Sequence, residues 1–209
     1  MTQYLGLDLL DIAPSWNTPP ADAPQARVEV VESPFGARFY DFRDKAPRWN
    51  RKVLWHLFGQ ADAKVLREFL NARKGRTVPF WLPSWEADLT VSYNLGATVT
   101  GCRIHKIGYA DSVFPMGNMR RHVQIASDYT SYVLPPLAPY YYRKITGSSS
   151  FDADEDVLFW SGGVTAGRRP LISFLRLCRL ADDVQRIEWT ATGFAACALE
   201  AVELPEEAP

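Results

Sequence analysis

Cysteine is scarce in this chain of 209 residues: Cys102, Cys178 and Cys197 lie far apart and are odd in number. That argues against a secreted disulfide framework, and all three are expected as reduced thiols. Histidine is equally scarce, with three residues, which leaves acid-base catalysis few groups to draw on. An excess of charge of one sign is missing too. The formal net charge is -1 with both signs interleaved, so no basic face dominates and generic binding to phosphates is not expected. Long apolar runs are absent from the opening MTQYLGLDLLDIAP, which Asp8 and Asp11 interrupt and which has no basic flank. The expectation is synthesis and folding in the cytoplasm, with no membrane partner.

Chemical signatures are missing as well. GVTAGRR, Gly163 to Arg169, lacks the Gly-Lys-Ser/Thr of a phosphate loop and reads as a turn. No G-x-S-x-G elbow surrounds Ser161 or Ser173, and His56 stands isolated from both. Cys102 and His105 form a C-x-x-H spacing with His122 further on, yet no second ligand pair accompanies them. Asp152, Asp154, Glu155 and Asp156 begin like a calcium loop but lack its turn glycine and trailing glutamate, and read as solvated loop charge. No catalytic residue, metal site or cofactor is expected, and the chain is read as something other than an enzyme.

What is present is aromatic residues at 13%, 15 prolines and 47% hydrophobic residues. Flat and β-branched side chains fill pleated surfaces well, so the composition points to sheets. Four prolines between Pro14 and Pro24 hold that stretch extended, and residues 1–26 read as an arm. Arg27–Glu32 and Phe35–Arg43 read as a hairpin turning at Ser33 and Pro34. In Arg51–Phe58, Val53, Trp55 and Leu57 share one face of a strand, leaving Lys52, Leu54 and His56 on the other. One segment predicts a helix, Asp62–Arg73, where Val65, Leu66, Phe69 and Leu70 form a stripe, with Asp62 at its start and Gly75 available to close it. Leu171–Leu180 and Ile187–Leu204 read as long strands separated by a polar turn.

Two aromatic clusters invite a functional reading. Val78–Leu82 carries Pro79 and is followed by Pro83, which predicts an edge strand. Phe80, Trp81 and Trp85 in and beside such an edge need a cover, and a neighbouring subunit would supply it. Arg176 and Arg179 could pair with Asp182, Asp183 or that same neighbour. PYYYRK, Pro139 to Lys144, offers a stacking platform in which Tyr140 and Tyr142 share one face and Tyr141 takes the other. The plainer reading of that platform is an amphipathic strand.

In this order (arm, hairpin, third strand, the helix ADAKVLREFLNARKG, the strand FWLP, a turn-rich β stretch, then FLRLCRLADD and EWTATG) the chain resembles the distal tail proteins of long-tailed bacteriophages over Arg27–Leu204. The resemblance implies a mainly β fold. A split, sandwich-like hub of residues 27–89 and 171–204 with one short helix is interrupted by a small barrel-like insert of the OB or galectin kind at 90–170. An acidic tail, 205–209, closes the chain. It further implies a structural virion protein at the tail tip, assembled in the host cytoplasm. Such proteins form a ring, commonly a hexamer, between the tail tube protein and the tail-tip hub and tape-measure proteins, and touch nucleic acid only as DNA passes through. Phe80, Trp81, Trp85, Arg176 and Arg179 would then lie at the contact between subunits. The alternatives are another tail-tip or tail-terminator protein, or a carbohydrate-binding adsorption module using Tyr140, Tyr141 and Tyr142.

Overall fold

The computed structural model describes residues 2–15, 17–25, 28–32, 38–42, 48–93, 99–116, 120–126, 140–164 and 170–204. The acidic tail, the turn at Ser33 and Pro34, and the GVTAGRR stretch from residue 165 lie outside the described residues. Among the described residues the chain is mainly β, with 56% strand against 15% helix, as its composition predicts. In chain order, β1 (Thr2–Tyr4), β2 (Leu7–Leu9), β3 (Ala21–Gln25), β4 (Val28–Glu32), β5 (Arg38–Phe42) and β6 (Arg48–Phe58) precede helix α1 (Gly59–Arg73). Then come β7 (Phe80–Pro83), β8 (Leu89–Thr90), β9 (Val99–His105), β10 (His122–Ala126) and β11 (Tyr140–Ser150). The last strands are β12 (Glu155–Val164), β13 (Leu171–Leu180), β14 (Ile187–Ala191) and β15 (Phe194–Glu203).

Contacts divide the chain into two units, each made of separated segments. One comprises Met1–Ala13 and Trp81–Leu177; the other comprises Pro14–Phe80 and Cys178–Glu207. The sequence reading places the breaks at 90 and 170 and leaves residues 1–26 as an arm. The structure instead folds the start of that arm: β1 and β2 pair as an antiparallel hairpin, with Leu9 and Leu10 buried. Later in the same stretch, β3 pairs antiparallel with β6 in spite of Pro24. A proline is tolerated where the strand has a neighbour on one side only.

In the unit containing α1, β6 pairs with β15 along nearly its whole length, and β3 and β14 flank that pair. Strict alternation sets the faces: Arg51, Val53, Trp55 and Leu57 are buried, as are Ala195, Cys197, Leu199 and Ala201 opposite them. Buried Arg51 is matched by Asp22 of β3, whose two carboxylate oxygens accept from Nη1 at 3.1 and 3.0 Å. Helix α1 presents Ala63, Leu66, Phe69, Leu70 and Arg73 as its buried stripe. Val65, expected in that stripe, is 52% exposed. Small Ala63 takes the inward position because residues three and four apart, not adjacent ones, share a helix face. The Asp62 carboxylate accepts from the Phe58 amide at 3.1 Å at the helix start. At the other end Lys74, with φ 50°, takes the left-handed closing position expected of Gly75, and Gly75 follows with φ 64°.

In the other unit, β10 lies between β11 and β13, and β12 joins β11 to β9, all antiparallel. β8 pairs with β13, and the next residue, Val91, bridges Ile104 of β9. Leu89, Ile104, Val123, Ile125, Ile145, Leu158, Trp160, Ile172 and Phe174 belong to one buried cluster on the inner face. Strands β9 and β12 approach so closely that a Cβ on Gly101 would stand 2.4 Å from the Leu158 carbonyl oxygen. Only glycine fits there without moving backbone.

Candidate interaction surfaces

The aromatic residues read as a subunit contact are in fact part of the protomer core. Phe80, Trp81 and Leu82 have no exposed surface and Trp85 is 7% exposed. Phe80 meets the Phe69 ring edge-on at 5.3 Å. From Trp81 on, β7 is no edge strand, since β2 lies on one side and β13 on the other. Leu9 is the parallel partner of Trp81, and the Leu10 amide donates to the Trp81 carbonyl at 3.0 Å. Pro79 precedes this strand and Pro83 is its last residue, so neither interrupts it or prevents burial. Arg176 is also buried, and its charge acts on Asp88, while Arg179 is half-buried.

The tyrosine run alternates as expected, but it is no open platform. Tyr141 packs against the buried cluster. Tyr140 and Tyr142, on the opposite face, are half-buried beside Asp11, and Gln124 hydrogen-bonds Tyr142. The Tyr4 hydroxyl and Nδ1 of buried His122 are 3.0 Å apart, and the Tyr4 ring lies 6.2 Å from that of Tyr142. Burial pushes the Tyr4 and Tyr142 hydroxyls up to about 12 and raises Tyr140 as well. A face this occupied by its own chain leaves little ring surface for stacking a ligand.

The remaining candidates are dispersed. Cys102 is buried and His105 exposed, on opposite faces of β9, while His122 turns to Tyr4. Asp152 Oδ1 accepts from the Asp154 and Glu155 amides at 2.8 Å each and so closes a tight turn. Asp156 is wholly buried, its Oδ2 accepting from the Ala110 amide at 3.4 Å at a π-helical turn, Tyr109–Val113. Ser173 donates to the Glu86 carbonyl at 2.7 Å, Ser161 is exposed, and His56 belongs to the other unit.

A surface that was not singled out in the sequence is the outer face of β6 and β15. Its cross-strand rows are Lys52 with Glu200, Leu54 with Ala198, His56 with Ala196, and Phe58 with Phe194. Phe58 is 65% exposed and Phe194 50%, with their rings edge-on at 5.5 Å. Lys52 Nζ lies 3.4 Å from a Glu200 carboxylate oxygen. A groove of about 1010 Å³ lies over the Lys52 end of this face, lined among others by Thr18, Pro19, Leu54, Ala196, Ala198 and Glu188. The signal was available in FAACALEA, where three of the four positions facing away from the core carry Phe, Ala and Ala instead of the polar residues of a solvated face, Glu200 being the fourth.

No protein-family model matches the chain, and no curated protein matches it in sequence.

Proposed function

We propose that this chain is a ring-forming structural protein of a bacteriophage tail, of the distal tail kind. The observation that carries the reading is the pair of open edges in the α1 unit. Among the described residues β14 pairs only with β15 and β3 only with β6. Two different edges on one subunit suit a head-to-tail contact, which closes into a ring when the rotation between neighbours divides a full turn. In this reading the hub is built from two separated stretches of chain with a small barrel-like β insert between them. The ring, six subunits in the family it resembles, joins the tail tube to the tail tip and acts mechanically, without catalytic residues. The unit composition supports this, because a segment from the middle of the chain makes most of one unit. Native mass spectrometry and negative-stain electron microscopy of the purified chain test it. A closed ring of uniform stoichiometry is expected; a chain that stays monomeric at its highest soluble concentration would overturn it.

A further inference from the structure

We infer that the outer face of β6 and β15 packs against the same face of a second copy, across a two-fold axis parallel to the strands. This contact is separate from the edge contacts proposed above, since it uses a face and not an edge, and it is isologous where those are head-to-tail.

The argument rests on the cross-strand register. A two-fold axis along the strands, midway between β6 and β15, lays β6 of one copy over β15 of the other with every row at the same level. Lys52 then faces the second copy's Glu200, and Glu200 its Lys52, so the charges are complementary twice over. Leu54 faces Ala198 and His56 faces Ala196, each large side chain opposite a small one, the condition for interdigitation of packed sheets about 10 Å apart. Phe58 faces Phe194, bringing together two ring pairs that are each half or more exposed in the single chain. All four rows of the register match in this arrangement.

A nucleic acid would meet Glu188 and Glu200 beside Lys52, a poor match for phosphate. The mixed signs of this face suit a partner with the same mixture in reverse order across the strands, which is what a second copy supplies.

Sedimentation of the full chain over a range of concentrations tests the inference, using Ala198→Glu, Lys52→Glu and the double exchange Lys52→Glu with Glu200→Lys. Ala198 is exposed in the single chain. Ala198→Glu is therefore expected to keep its melting temperature under dissociating conditions while weakening the pair about a hundredfold by burying a charge against Leu54. Lys52→Glu weakens pairing and the double exchange restores it. If Ala198→Glu leaves every associated species in place, or the exchange fails to restore pairing, the face contact is wrong. Rings that persist in that case leave the head-to-tail reading standing, whereas pairs without rings overturn that reading and support this one.

Discussion

The indole Nε1 of Trp81 donates to the backbone carbonyl of Tyr4 at 3.0 Å, tying a residue of β7 to the first strand of the chain. The Tyr4 ring stands edge-on to Trp81 at 5.4 Å, and His122 lies 4.7 Å from the indole on another strand. Trp81 is thus held by two segments that are far from it and from each other in sequence.

Trp81→Ala is expected to destabilise the fold by about 3–5 kcal/mol, the usual cost of emptying a buried aromatic site. This reverses the sequence-based expectation that the residue serves assembly more than folding. Urea unfolding of the dissociated chain measures the loss. A variant that melts normally and fails only to assemble would contradict the burial.

Asp88 is held above the ordinary carboxylate value mainly by burial, against the opposing pull of the Ser84 hydroxyl, the Phe174 amide and Arg176. A raised folded pKa gives stability that is full below the unfolded value and lost as pH rises through the folded one. Asp88→Asn keeps an oxygen for the Phe174 amide and removes the buried charge. At neutral pH it should lose no more than about 1 kcal/mol. On acidification the wild type gains relative to the variant, which paired denaturation curves at neutral and acid pH would detect.

Tyr4 and Tyr142 ionise at about 12 in the folded chain against an ordinary value of 10.0. Both shifts are upward, so the stability they contribute is present below 10.0 and lost as pH rises through about 12. Alkaline unfolding should accompany the appearance of tyrosinate absorbance. Tyr4→Phe should make the alkaline loss shallower, at a cost of about 1 kcal/mol at neutral pH from the lost contact with His122. An unchanged alkaline profile would show that Tyr4 titrates freely.

Replacing Tyr93–Gly163 with a Gly/Ser linker should give an insoluble product. The sequence suggests a detachable insert with a soluble hub left behind, but Leu89, Ile172 and Phe174 lie in one cluster with Ile104, Val123 and Leu158. Removing the latter exposes the former. Within the same cluster region, Gly101→Ala should cost about 1–3 kcal/mol, because its Cβ meets backbone and not a movable side chain.

The local patterns were legible in the sequence: the alternation of β6, the hairpin β4–β5 with Val30 opposite Tyr40, and the helix ending at Arg73. What could not be read was which distant segments meet. Nothing about Pro79 or Trp81 announces that Leu9 will pair beside them, and without that partner the strand reads as an exposed edge. The same limitation hid the outer face of β6, since Leu54 and Phe58 acquire meaning only once Ala198 and Phe194 are known to lie opposite.

The interleaving of the two units sets a timetable for synthesis. Strands β1 and β2 are made long before Trp81, His122 and Tyr142, which hold Tyr4. β6 is likewise made long before β15, its longest neighbour. The unit that begins with β1 cannot close until β13 has been made, and the α1 unit not until β15 has, so the growing chain carries apolar strands without partners through most of its translation. Demand for chaperones is therefore expected to peak while chains are unfinished, and a chain that stops before β15 would leave β6 without its longest neighbour while the unit that ends at Leu177 is already made.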